Sequence, residues 1–251
     1  MQIYFKQSGQ GRALILLHGL FGSSDNWHYI TTKLAETFHV FVPDLRNHGQ
    51  SPHSAAMDYP LMAGDVVELM QAQGSSTARV IGHSMGGKVA MQLALQFPER
   101  VEKLIVSDMA PRVYAPAHEK IFSALLALDL PAYANRQQME EVLAPDIPSL
   151  MLRRFLLKNL GRDAHGKFFW KMNLRGLWDN YPRLAEPMAG APFTKPTLFI
   201  RGGRSDYIQP EDSGRIHELF PAARIETIPD ASHWIHADKP EEFLKLVLAF
   251  L

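Results

Sequence analysis

Seven short apolar runs separated by longer amphipathic stretches constrain this chain more than any other feature. Ile3–Phe5, Leu14–Leu17, Val40–Val42, Arg79–Ile81, Lys103–Val106, Thr197–Ile200 and Arg224–Ile228 have the length and composition of strands. Between them, Trp27–Thr37, Tyr59–Gln73, Met85–Phe97 and Pro210–Leu219 carry helical patterns. The closing stretch DKPEEFLKLVLAFL places Asp238 to cap a last helix, with Pro240 near its first turn. Such alternation predicts an α/β fold, a mostly parallel central sheet flanked by helices. At 251 residues, 46% of them hydrophobic, the chain is long enough to bury a substantial core.

The rhythm breaks between Pro111 and Pro192. This stretch has no run that reads as a buried strand; instead it offers helical patterns such as APAHEKIFSALLALDL, NRQQMEEVLA and DIPSLMLRRFLLKNL. A single crossover needs far fewer residues. The expected organisation is a core of residues 1–110 and 193–251, with 111–192 inserted as a helical cap over one end of the sheet. The alternative is that these helices are ordinary crossovers covering a sheet face.

Composition excludes several classes of function. Lys plus Arg and Asp plus Glu both total 26, so no polyanionic partner is indicated and nucleic acid is not expected as a ligand. Zero cysteines rule out disulfides, thiolate metal sites and a cysteine nucleophile, and fit a reducing compartment. The N-terminus lacks a signal-peptide pattern, and its apolar run Ala13–Leu17 is far below the roughly 20 residues of a membrane helix. A soluble, cytoplasmic protein without membrane association is the expectation.

The stretch VIGHSMGGKVA carries the chemistry. Gly82, Ser84 and Gly86 form G-x-S-x-G where an apolar run ends and a helical pattern starts, the context of a nucleophile elbow. A sharp turn lifts the serine clear of the sheet, and small flanking residues let strand and helix approach. The N–H of Met85, at the helix start, is a candidate oxyanion donor. A second donor is expected after the early run LILLHGLFGSS: Leu20, with Phe21 as the alternative. Among 11 histidines, His233 stands in the loop before the final helix, placed to act as general base and acid for Ser84. His236 competes, and the three-residue spacing of the two suggests a metal pair, but no further ligand cluster accompanies it, so no metal site is expected. His18 and His83 read as structural.

The elbow, the HGLFGS loop and the late SHWIHADKP resemble the α/β-hydrolase superfamily along nearly the whole chain. Together with PDLRNHGQS they resemble, more narrowly, the small YbfF-type serine esterases. That resemblance implies ester hydrolysis by a Ser–His–acid triad beneath a helical cap, with no cofactor. The acid is open between two residues. Asp206, in G-x-x-D-x-x-x-P after a strand, occupies the usual position of the superfamily and is preferred. Asp108, in LIVSDMAP, is the alternative; the YbfF-type subgroup resembles this segment and often lacks the later acid.

Phe21, Trp170 and Trp178 are candidate substrate-pocket residues, with packing as the competing role for the aromatic group that includes Phe168 and Phe169. Asp44, Arg46, Asn47 and His48 read as a cluster holding its loop through internal hydrogen bonds, and Lys88 as a solvated position on the helix. The expectation is a serine carboxylesterase acting on a small-molecule ester or thioester of small to medium acyl length. A C–C bond hydrolase or lyase on the same fold, or a noncatalytic ligand receptor, are the alternatives. Chemistry that needs an Asp nucleophile is disfavoured by Ser84.

Overall fold

The computed structural model describes all residues, 1–251. In chain order its elements are β1 (Phe5–Ser8), β2 (Ala13–Leu17), α1 (His28–Leu34), β3 (His39–Pro43), α2 (Tyr59–Ala72), β4 (Ala78–His83), α3 (Met85–Gln96) and β5 (Val101–Ser107). Then follow α4 (Glu119–Leu126), α5 (Arg136–Val142), α6 (Leu150–Leu157), β6 (Leu160–Arg162), β7 (Phe168–Trp170) and α7 (Leu174–Asn180). The chain closes with β8 (Thr197–Gly202), α8 (Asp212–Leu219), β9 (Ala223–Ile228), the short α9 (Ile235–Asp238) and α10 (Pro240–Phe250).

Seven strands form one sheet in the order β1-β3-β2-β4-β5-β8-β9. Only β1 is antiparallel to its neighbour. The inner strands are apolar on both faces because helices cover both. In β2, Ile15 and Leu17 join one core layer with Val80, Val89 and Phe199, while Leu14 and Leu16 join another with Ile30, Ile81 and Phe243. This two-sided burial made the inner strands readable as continuous apolar runs. Edge strand β1 has no fully buried side chain and begins at Phe5, two residues later than the expected Ile3.

Chain order reverses between β2 and β4: from β2 the chain goes to β3 on one side, then returns to β4 on the other. Open α/β sheets bind ligands at the carboxyl ends of strands flanking such a reversal. The ends of β2 and β4 are His18–Gly19 and His83–Ser84, both singled out from the sequence.

The insertion between β5 and β8 is mainly helical but contains an unforeseen hairpin, β6 with β7. Three-residue strands are too short to show a period in the sequence. Side chains tie this segment to the loops after β2 and β3. Asn159 Nδ2 donates to Phe21 O at 2.7 Å, and Asn180 Nδ2 to Ala55 O at 2.9 Å. Asp238 does not cap the last helix, which starts at Pro240 after Lys239. Its carboxylate accepts instead from Ser232 N at 2.9 Å and Ser232 Oγ at 2.5 Å, bracing the loop that carries His233. No helix is long and apolar enough to cross a membrane.

Candidate active site

Ser84 occupies the turn between β4 and α3 with φ 54° and ψ −122°. A non-glycine residue holds positive φ only where its surroundings enforce it, and such strain clusters at functional sites. Here the enforcement is visible. Ser84 N–H donates to Ser107 O at 3.1 Å, fastening the turn to β5. A Cβ on Gly82 would lie 2.1 Å from Gly86 O, and one on Gly86 would lie 2.4 Å from Leu17 O. Both positions therefore require glycine because backbone passes against backbone. The turn after β2 comes equally close, since a Cβ on Gly19 would be 3.1 Å from Ser84 Cβ.

His233 Nδ1 is 2.8 Å from Asp108 Oδ2. The partner of His233 is thus Asp108 and not Asp206, the acid preferred from spacing. The physical reason lies in the two turns. Asp108 has φ 52° and is wholly buried, and its Oδ1 accepts from Gly202 N at 2.9 Å. Its Oδ2 also accepts from Ser205 Oγ, a contact the sequence reading missed. Asp206 is exposed, and its carboxylate accepts from Gln209 Nε2 at 3.2 Å. A carboxylate only accepts, so Nδ1 of His233 carries the proton and Nε2 is free to take one.

Aromatic rings fix the imidazole. Tyr207 stacks on His233 at 3.8 Å between centroids and 18° between planes. The His83 ring is 4.7 Å away, tilted by 43°, and its Nε2–H donates to His233 O at 2.8 Å. His236 stacks on Trp27 at 4.4 Å. Burial holds both neighbours neutral: His83 is pushed well below the ordinary histidine value and His236 down to about 4, in each case with nearby histidines adding to the effect. Tyr207 was not anticipated; its place next to Ser205 and Asp206 in RSDYIQ was the available signal.

The oxyanion candidates lie on the two adjoining turns. Neither Leu20 N–H nor Phe21 N–H donates to a backbone carbonyl. Met85 opens α3, where helix geometry leaves its N–H without an intrahelical acceptor. Phe21 has φ 60°, a third strained residue at this site. His18 braces the loop: Nδ1–H donates to Gly19 O at 2.8 Å and Nε2 accepts from Leu45 N at 3.0 Å. Burial lowers its pKa, in keeping with a neutral ring bonded at both nitrogens. Asp44, Asn47 and His48 are buried beside it, Asp44 accepting from Ser24 N at 2.6 Å and Gln50 N at 2.8 Å. Arg46 pairs with Asp65 at 2.7 Å.

Two cavities open at Ser84. The larger, about 820 Å³, is lined by Phe21, His233 and Trp234 together with Ile121, Leu152 and Phe155 from the insertion. The smaller, about 310 Å³, is lined by Met85, Lys88, Met109, Tyr114, Tyr181 and Leu184 among others. Phe21 lines the larger cavity as expected from its loop. Trp170 and Trp178 line neither, which corrects that expectation; they pack inward, Trp178 at 5.3 Å from Phe122. His118 faces both cavities and was missed; burial lowers it to about 4. Lys88 is not solvated but 1% exposed, because Tyr59, Tyr114 and the Glu186 carbonyl close over its side chain.

The family model for the alpha/beta hydrolase fold matches residues 12–240. The chain belongs to the α/β-hydrolase superfamily. Within it the chain is one of the YbfF-type esterases: it is 36% identical to esterase YbfF of Escherichia coli over 95% of this chain and 92% of that protein. It is also 38% identical to the sn-1-specific diacylglycerol lipase ABHD11 of Mus musculus, over 95% of this chain and 80% of the relative. The solved structure of a marine microorganism esterase superposes with a TM-score of 0.97 at 40% identity, covering 100% of this chain and 99% of the other.

Proposed function

We propose that Ser84 is the nucleophile of this carboxylic ester hydrolase, His233 its general base and acid, and Asp108 the acid that orients His233. Ser84 Oγ attacks the ester carbonyl while His233 Nε2 takes its proton. The N–H groups of Leu20 and Met85 receive the oxyanion, with Phe21 N–H as the alternative to Leu20. His233 then protonates the leaving alcohol, and a water activated by the same nitrogen cleaves the acyl-enzyme. Thioesters pass through the same intermediate.

The observation that carries this reading is the buried Asp108 carboxylate at 2.8 Å from His233 Nδ1, beside a serine held at φ 54°. Residues 111–192 act as a cap, supported by the insertion side chains that line the larger cavity. We also infer a cytoplasmic enzyme, since a chain without cysteine suits a reducing compartment.

Hydrolysis of p-nitrophenyl esters of graded acyl length, compared with Ser84→Ala, tests the assignment. The variant is expected to lose kcat on the order of 10⁴-fold or more. A serine-reactive phosphonate is expected to label Ser84 alone. A fully active variant, or a label elsewhere, would remove Ser84 from the mechanism.

A further inference from the structure

Three buried cations are found in this chain, and two have acid partners. Arg46 meets Asp65 at 2.7 Å and Arg79 meets Glu102 at 3.8 Å. Lys88, 1% exposed, forms no ion pair. Its Nζ donates a single hydrogen bond, to Glu186 O at 3.3 Å, and lies 5.5 Å and 5.1 Å from the ring centroids of Tyr59 and Tyr114. An ammonium has three donors, so two are unmatched. Burying a charge without a counter-charge is costly and is rarely kept for packing alone.

The location gives the charge a purpose. Lys88 is one helical turn beyond Ser84, its N–H donating to Ser84 O at 3.2 Å, and it lines the smaller cavity that opens at the serine. The remaining walls of that cavity are largely apolar. Asp206 also lines it, but is exposed and engaged with Gln209. His233 and Trp234 line the larger cavity and not the smaller. Because His233 must hand its proton to the leaving oxygen, the alcohol belongs on the larger side and the acyl chain on the smaller.

We propose that the smaller cavity is an acyl subsite in which Lys88 receives a carboxylate at the far end of the acyl chain. Half-esters of short dicarboxylic acids are then preferred over uncharged acyl esters of matching shape. Methylene groups meet the apolar walls, and the carboxylate supplies the missing counter-charge. The chain is short because four residues of helix span only about 6 Å along the axis. Burial, with Arg112 adding to it, pushes the Lys88 ammonium down to about 8, so it is charged at neutral pH and ready for an anion. The proposal rests on the assignment of Ser84 and His233 given above.

The test measures ethanol release from monoethyl succinate, glutarate and adipate, and from ethyl esters of branched alkyl acids matched to each in shape. The wild type is expected to favour at least one half-ester over its match. In Lys88→Met that preference ratio should fall by about 10- to 100-fold, the usual worth of a hydrogen bond to a charged group. Product inhibition of the wild type reads the same pocket without a variant: the free dicarboxylate should bind about tenfold more tightly than its alkyl match. Alkyl esters cleaved with no half-ester preference, or a preference untouched in Lys88→Met, overturn the subsite alone. Release from no ester of either kind overturns the hydrolytic assignment and the subsite with it.

Discussion

The turns after β5 and β8 each present an aspartate at the carboxyl edge of the sheet, and they differ in almost every physical respect. Asp108 has left-handed backbone, no exposure and three hydrogen-bond donors on its carboxylate, among them His233 Nδ1. Asp206 stands in water, and its carboxylate holds one local bond, to Gln209. Yet the two turns cooperate. The β8 turn contributes Gly202 N–H and Ser205 Oγ to Asp108, and Tyr207 to the face of His233. One turn supplies the charge and the other its mounting. A carboxylate so held is oriented before substrate arrives, which is the state a triad acid needs.

Removing the charge from the β5 turn is the strongest way to break this contrast. Asp108→Asn should lower kcat on the order of 10⁴-fold with near-native urea stability, as measured by steady-state kinetics and equilibrium unfolding. Retention of activity within a few-fold would return the role to Asp206.

Acidification tests the buried histidines that burial keeps neutral. Folded His236 and His118 take protons only near 4, and His48 near 3, whereas unfolded histidines titrate near 6.5. Between these values the unfolded chain binds more protons, so stability is expected to fall as pH drops from about 6.5 toward 4. Urea midpoints at pH 7.5 and pH 5 check the sign; an unchanged midpoint would mean that these rings are already charged in the folded protein.

The smallest effect belongs to the exposed acid. Asp206→Asn should leave kcat/KM for an uncharged ester within about threefold, the size expected of a surface change away from special contacts. A larger loss would show that the β8 turn supplies more than a mounting.

What could be read from the sequence follows burial. Strands covered on both faces, such as Leu14–Leu17 and Thr197–Ile200, stand out because nothing polar interrupts them. The elbow is legible because Gly82 and Gly86 are needed where backbones meet. The choice of acid is not, since both aspartates follow a strand and the deciding feature is a backbone angle of 52° at Asp108. Lys88 misleads because lysine favours surfaces and because Gln92 and Gln96, four and eight residues on, place it on the polar face of its helix. Trp170 and Trp178 were candidates by composition alone, and composition does not distinguish a pocket wall from a core.

Phe21, Ser84 and Asp108 share one further property: each holds the left-handed backbone that glycine adopts at least cost. Glycine would relieve the strain at any of them, but at 84 and 108 it would also delete the hydroxyl proposed as the nucleophile and the carboxylate proposed to orient His233. A search for heat-tolerant variants that scores stability alone would therefore be drawn to the positions that disarm the enzyme. The reserve of resilience open to engineering lies elsewhere in the fold, and these three turns set a limit on how far hardiness and turnover can rise together.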